Sequence, residues 1–176
     1  MNASRRKNVV RITTALVAVV LTIGGTLYAL DATRRATPSQ TPSALAGDHA
    51  VNIDQTGLAI DGYDPVTYFT TGKPMKGDFQ ITAEHDGATY RFVSEQNRDR
   101  FRQNPSRYAP QYGGYCAYGV SVGKKFSSDP TVWKIVDGRL FLNLDQNIAN
   151  LFNKDVPGHI AKADRNWKKI ADEPAR

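Results

Sequence analysis

Two Asp-Gly pairs, each set between segments of alternating hydrophobicity, restrict this chain more than any other feature. Asp86-Gly87 follows Phe79, Ile81 and Ala83 and precedes the run from Thr89 to Val93; Asp137-Gly138 joins Val132–Val136 to Leu140–Leu144. A two-residue hairpin turn needs left-handed backbone at both of its central positions, which Asp and Gly tolerate and β-branched residues do not. Each pair therefore predicts a β-hairpin. Asp64-Pro65-Val66 predicts a short helix over Val66 to Phe69, with an acid capping it and proline in its first turn. Ser94 opens a polar helix to about Gln103 that Asn104-Pro105 stops, and Asp145 opens another through Phe152. A last helix over His159 to Asp172 carries Ile160, Ala163, Trp167 and Ile170 on one stripe. Hairpins flanked by short helices, with no βαβ alternation, give an α+β class: one small domain of two β-hairpins.

The first fifty residues have a different character. Arg5, Arg6, Lys7 and Arg11 precede a run without charge from Ile12 to Leu30. This is the pattern of a targeting segment, long enough to span a bilayer as a hydrophobic helix. Residues 1–32 are read as a signal peptide or membrane anchor and 33–50, rich in Thr, Ser, Pro and Ala, as a flexible linker, leaving 51–173 as the domain. Ala44-Leu45-Ala46 resembles a cleavage site but lies well beyond the apolar run, which favours an uncleaved anchor. The expected location is periplasmic or otherwise extracytoplasmic, at the membrane surface. Of the 23 basic and 17 acidic residues, six and one respectively fall in residues 1–46, so residues 47–176 carry 17 basic against 16 acidic side chains. The folded part has no electrostatic case for nucleic acid.

Chemistry concentrates at Gly113-Gly114-Tyr115-Cys116-Ala117-Tyr118, which holds the one cysteine of the chain. An unpaired cysteine in an exported protein points to an external partner or a reactive thiol; a buried cysteine acting as a small hydrophobe is the bland alternative. A short helix begun at the glycine pair places Cys116 in its first turn, where amide N–H groups favour thiolate. Tyr112, four residues earlier, then becomes a candidate hydrogen-bond donor to the sulfur, while Tyr115 and Tyr118 face elsewhere. Exposure decides between reactive thiol and packed core. There is no Cys-x-x-Cys and no pair of histidines close in sequence; His49, His85 and His159 read as surface or capping residues. No metal site is assigned. Copper(I) bound by Cys116 with Met75 or a histidine stays open on ligand softness alone, and no cofactor is required.

From Gly57 onward, about two-thirds of the chain resembles the YHS domain family, in an exported branch built around Gly-Gly-Tyr-Cys-Ala. The resemblance runs through Ala59-Ile60-Asp61-Gly62-Tyr63-Asp64-Pro65-Val66-Thr67-Tyr68-Phe69, Asp86-Gly87-Ala88-Thr89-Tyr90-Arg91-Phe92 and Asn104-Pro105-Ser106-Arg107-Tyr108-Ala109-Pro110-Gln111-Tyr112-Gly113-Gly114-Tyr115-Cys116-Ala117. It continues in Asp137-Gly138-Arg139-Leu140-Phe141-Leu142-Asn143 and Ala163-Asp164-Arg165-Asn166-Trp167. Metal-binding members of the family carry cysteine after Asp-Pro-Val and after the second strand's Phe. Here Thr67 and Val93 hold those positions, so the resemblance brings no zinc or copper set with it. It does imply a working thiol at Cys116, because some relatives have selenocysteine there. A lone redox thiol needs an external thiol or partner protein to complete its cycle. The competing expectations are a copper module and a non-catalytic interaction module of a membrane complex; whether the chain is an enzyme is left open.

Overall fold

The computed structural model describes residues 50–175. The anchor expected over 1–32, His49 and nearly all of the 33–50 linker lie outside them. Among the described residues no helix is long and apolar enough to cross a membrane.

Both hairpins form, each as its own two-stranded antiparallel sheet. Strand β1 (Asp78–His85) pairs with β2 (Ala88–Phe92), His85 opposite Ala88. Strand β3 (Asp129–Val136) pairs with β4 (Arg139–Asn143), Val136 opposite Arg139. The turn residues adopt the required left-handed backbone, with φ of 50° at both Asp86 and Asp137 and 76° and 72° at Gly87 and Gly138. Each first strand is longer than the ladder that holds it, because the register shifts between Asp78 and Thr82 and between Asp129 and Trp133. The bulge corrects one sequence expectation. It takes Phe79 out of the alternating pattern and leaves it 70 % exposed, whereas Ala83, beyond the bulge, is buried.

Helix α1 (Thr67–Thr70) begins just after Asp64-Pro65. Asp64, wholly buried, is the joint of this half of the domain. Its Oδ1 accepts from the Val66 amide at 2.8 Å, and its Oδ2 from the Val93 amide at 2.9 Å and Asn97 Nδ2 at 2.7 Å. Helix α2 (Glu95–Gln103) is capped by Ser94 Oγ on the Asn97 amide at 3.2 Å and lays Phe101 against the rings of Tyr90 and Phe92. Asn104-Pro105 stops α2 as expected but also starts another helix: α3 (Pro105–Tyr108) uses Asn104 Oδ1 as its cap and proline at its first position.

The second half contains α4 (Ala117–Ser121), α5 (Gln146–Asn153) and α6 (Val156–Ile170). Asp145 caps α5 through the Ile148 amide at 2.8 Å. Helix α6 starts three residues before the expected His159, because Asp155 caps it and Pro157 fits its first turn. His159 sits within that turn, half-buried, with Nδ1 3.0 Å from the Phe152 carbonyl at the end of α5.

Strand β4 separates two apolar clusters. Leu140 and Leu142 point into one, with Val66, Tyr68, Tyr90, Phe92 and Phe101; Phe141 points into the other, with Tyr112, Tyr115, Val120, Phe152 and Ala163. Alternate residues of a strand face opposite sides, so three consecutive buried residues mark a strand covered on both faces.

Candidate functional site

The run leading to Cys116 is shaped by three consecutive left-handed residues. Tyr112, Gly113 and Gly114 have φ of 56°, 59° and 81° within the 3-10 turn Gln111–Gly114. Gly113 has a second reason to be glycine: a Cβ there would lie 1.9 Å from the Ala50 carbonyl oxygen. Three such residues cannot belong to a right-handed helix, and Tyr115 after them is extended; α4 starts only at Ala117, and Cys116 is its cap rather than a residue of its first turn. The spacing that was to bring Tyr112 beside the sulfur is lost with it. The Tyr112 phenol donates instead to Asp164 Oδ1 at 2.9 Å.

Asp164 also receives a two-pronged ion pair from Arg139, at 2.6 Å and 3.2 Å, and Arg139 Nε donates to Gln111 Oε1 at 2.8 Å. The Arg139 hydrogen bond holds the Asp164 carboxyl below its usual range, while burial and the bond to Asp164 push the Tyr112 phenol up. The network pins the left-handed turn to α6, against the roughly 1–2 kcal/mol that such backbone costs a non-glycine residue. Tyr112 thus holds the loop and does not contact the thiol. Tyr115 turns toward the N-terminal segment, its hydroxyl 3.4 Å from the Val51 carbonyl. Tyr118 is the tyrosine beside the sulfur, with its ring edge-on to His159.

Cys116 is 1 % exposed. Its Sγ accepts from the Gly119 amide at 3.4 Å and lies 3.8 Å from Oδ1 of Asn143, a buried residue at the end of β4 that also accepts from the Tyr118 amide. Burial raises the thiol above its ordinary value, and hydrogen bonds from the amides of Gly119, Leu144 and Tyr118 oppose it without prevailing. Here the expected thiolate is corrected. A helix end contributes typically 0.3–1 kcal/mol, under one pKa unit, and burial can shift a group by several units. The resting sulfur is a neutral thiol.

Cys116 nevertheless borders an apolar cleft of about 220 Å³ whose walls are Tyr118, Gly119, Val122, Phe126, Leu144 and Ile148. Val122, Phe126 and Leu144 are three of the five large hydrophobic residues exposed in the described region. Gly119 lets the Phe126 ring close over α4, since a Cβ at 119 would lie 2.7 Å from Phe126 Cδ2. Asn143, Leu144 and Ile148 escaped the sequence reading, because the end of β4 and the first turn of α5 reach Cys116 from a distant part of the chain.

The residues do not fit a metal. Thr67 and Val93 do come near one another around Asp64, through the Thr67 hydroxyl bonded to the Asp64 carbonyl and the Val93 amide bonded to its carboxylate. Neither offers a ligand like the cysteine of metal-binding relatives. Met75 is 44 % exposed, has its carbonyl on the Asp64 amide, and is not among the residues lining the Cys116 cleft. No group of three His, Cys, Asp or Glu side chains able to hold an ion occurs among the described residues.

No curated protein and no solved structure matches the chain. The family model described as YHS domain matches residues 66–112, from the turn before α1 through the first hairpin, α2 and α3 to the left-handed turn. The match stops short of Cys116, so that thiol stands outside the part of the family pattern found here. Over residues 66–112 the chain is similar to the YHS domain family.

Proposed function

We propose that this is an extracytoplasmic YHS domain protein, held at the membrane by residues 12–30, that binds a small apolar ligand or an apolar side chain of a partner in the cleft floored by Cys116. One observation carries the reading: the only cysteine of the chain lies at the bottom of an apolar cleft rimmed by exposed Val122, Phe126 and Leu144. Isolated exposed hydrophobic residues are ordinary, but a group of them around a concave surface marks binding. The neutral thiol suits this role, since a charged sulfur would have to give up its hydration when an apolar guest covered it. Thiol exchange with a partner disulfide is the second reading. It requires Cys116 to ionise first, attack one partner sulfur and release the other as a thiol, after which an external thiol reduces the mixed disulfide.

Reagent selectivity tests the cleft. The full chain is treated with neutral methyl methanethiosulfonate and with its anionic sulfonatoethyl analogue, and the two rates are compared with those of free cysteine. The apolar walls should favour the neutral reagent by about tenfold more than free cysteine does, roughly the cost of bringing a charge to an apolar surface. A ratio equal to that of free cysteine would remove the cleft as the working site.

A further inference from the structure

We infer that Lys125 is a latch: it ties the C-terminal tail to the loop that carries Phe126 and so sets access to the Cys116 cleft. Residues 122–128 run without regular structure from α4 to β3. One side of this loop is sewn to the cysteine run. The Cys116 amide donates to the Phe126 carbonyl at 2.9 Å, the Lys124 amide to the Gly119 carbonyl at 3.0 Å, and Ser128 Oγ to the Gly114 carbonyl at 2.7 Å. The other side is held by Lys125, which is 3 % exposed. Its ammonium donates to the Ala171 carbonyl at 2.9 Å and the Glu173 carbonyl at 2.5 Å, and lies 4.7 Å and 5.7 Å from the ring centres of Tyr115 and Trp167.

A lysine at this place answers two needs at once. The carbonyls just past α6, at its cap Ala171 and at Glu173, take the ammonium bonds, and a cation is favoured at the negative end of the helix dipole. The aromatic faces stabilise the same charge. Lys125 and Phe126 are adjacent, yet they serve opposite sides of the loop: Lys125 is bonded to the tail, and Phe126 lies over Gly119 as a wall of the cleft. Beneath the tail a cavity of about 350 Å³, lined by Gly123, Lys124, Lys125, Phe126, Ile170, Glu173 and Pro174, gives the loop room to move once the tail lifts. Phe126 borders both this cavity and the cleft, so the two openings share one wall.

The latch rests on reading the cleft as the working site, but its test reads access alone and gives a result whether or not any ligand is found. The rate of Cys116 alkylation by N-ethylmaleimide is measured on the full chain, on Lys125→Met and on a chain ending at Ile170. Both changes should raise the rate by about fivefold or more, with little dependence on low urea concentrations, as expected for a local opening. Lys125→Arg, which keeps a cation with several donors beside the cavity, should return the rate to within about twofold of the original. A smaller rise in a folded variant, a rise that follows urea as global unfolding does, or failure of Lys125→Arg to restore would each overturn the latch. Should neither variant fold, hydrogen exchange on the unaltered chain decides. Exchange of the Lys124 and Glu173 amides at rates within about fivefold supports a shared opening, and a wider gap refutes it.

Discussion

Cys116 holds its proton to higher pH when folded than when unfolded, and this has a sign that can be measured. An unfolded cysteine ionises near pH 8.5. Above that, the unfolded chain binds fewer protons than the folded one, so stability falls with rising pH until the buried thiol itself ionises. Urea melts of the unaltered chain and of Cys116→Ala should show the unaltered chain losing its advantage above about pH 8.5, by up to about 1.4 kcal/mol per pH unit. Parallel curves would mean that the sulfur is not desolvated. At this scale the sequence reading assigned Cys116 the wrong neighbour. Tyr112 was placed beside Cys116 by helical spacing, but that spacing holds only for right-handed backbone, and Tyr112, Gly113 and Gly114 are left-handed. The true partner of Tyr112, Asp164, lies on α6, and no local pattern links the two.

Among the elements, those governed by neighbouring residues were legible. Both Asp-Gly turns, the Ser94 and Asp145 caps and the stop at Asn104-Pro105 appear where local chemistry places them. What escaped was the bulge that releases Phe79, together with two local signals passed over: the second use of Asn104 as the cap of α3 and the early start of α6 at Asp155-Val156-Pro157. Asp64 was read as a helix cap, yet it holds α1, the end of β2 and α2 together. Asp64→Asn keeps the shape but leaves one oxygen to serve three N–H donors, with its own amide facing at least one of them. The substitution should cost about 2–4 kcal/mol in urea denaturation, the range for losing charge-assisted bonds and stranding a buried donor. A loss under about 1 kcal/mol would show that the three elements hold together without it.

Taken whole, residues 50–175 form a mixed helix and strand domain whose cohesion rests on packing and hydrogen bonds. Its class was legible from two hairpins and several capped helices. How the pieces meet was not, because contacts between elements distant in sequence leave no local signature. Thr67 and Val93, at the positions where the resemblance would put metal-ligating cysteines, predict indifference to chelation. Dialysis against EDTA should leave the thermal midpoint within about 2 °C, whereas a structural metal would contribute many kcal/mol to folding. A drop larger than that would reveal a ligand set missed here.

Strand β4 imposes one more condition on the molecule. Because its successive side chains belong to different oily interiors, peeling it away opens both at once. The party wall gives two small interiors a common point of failure.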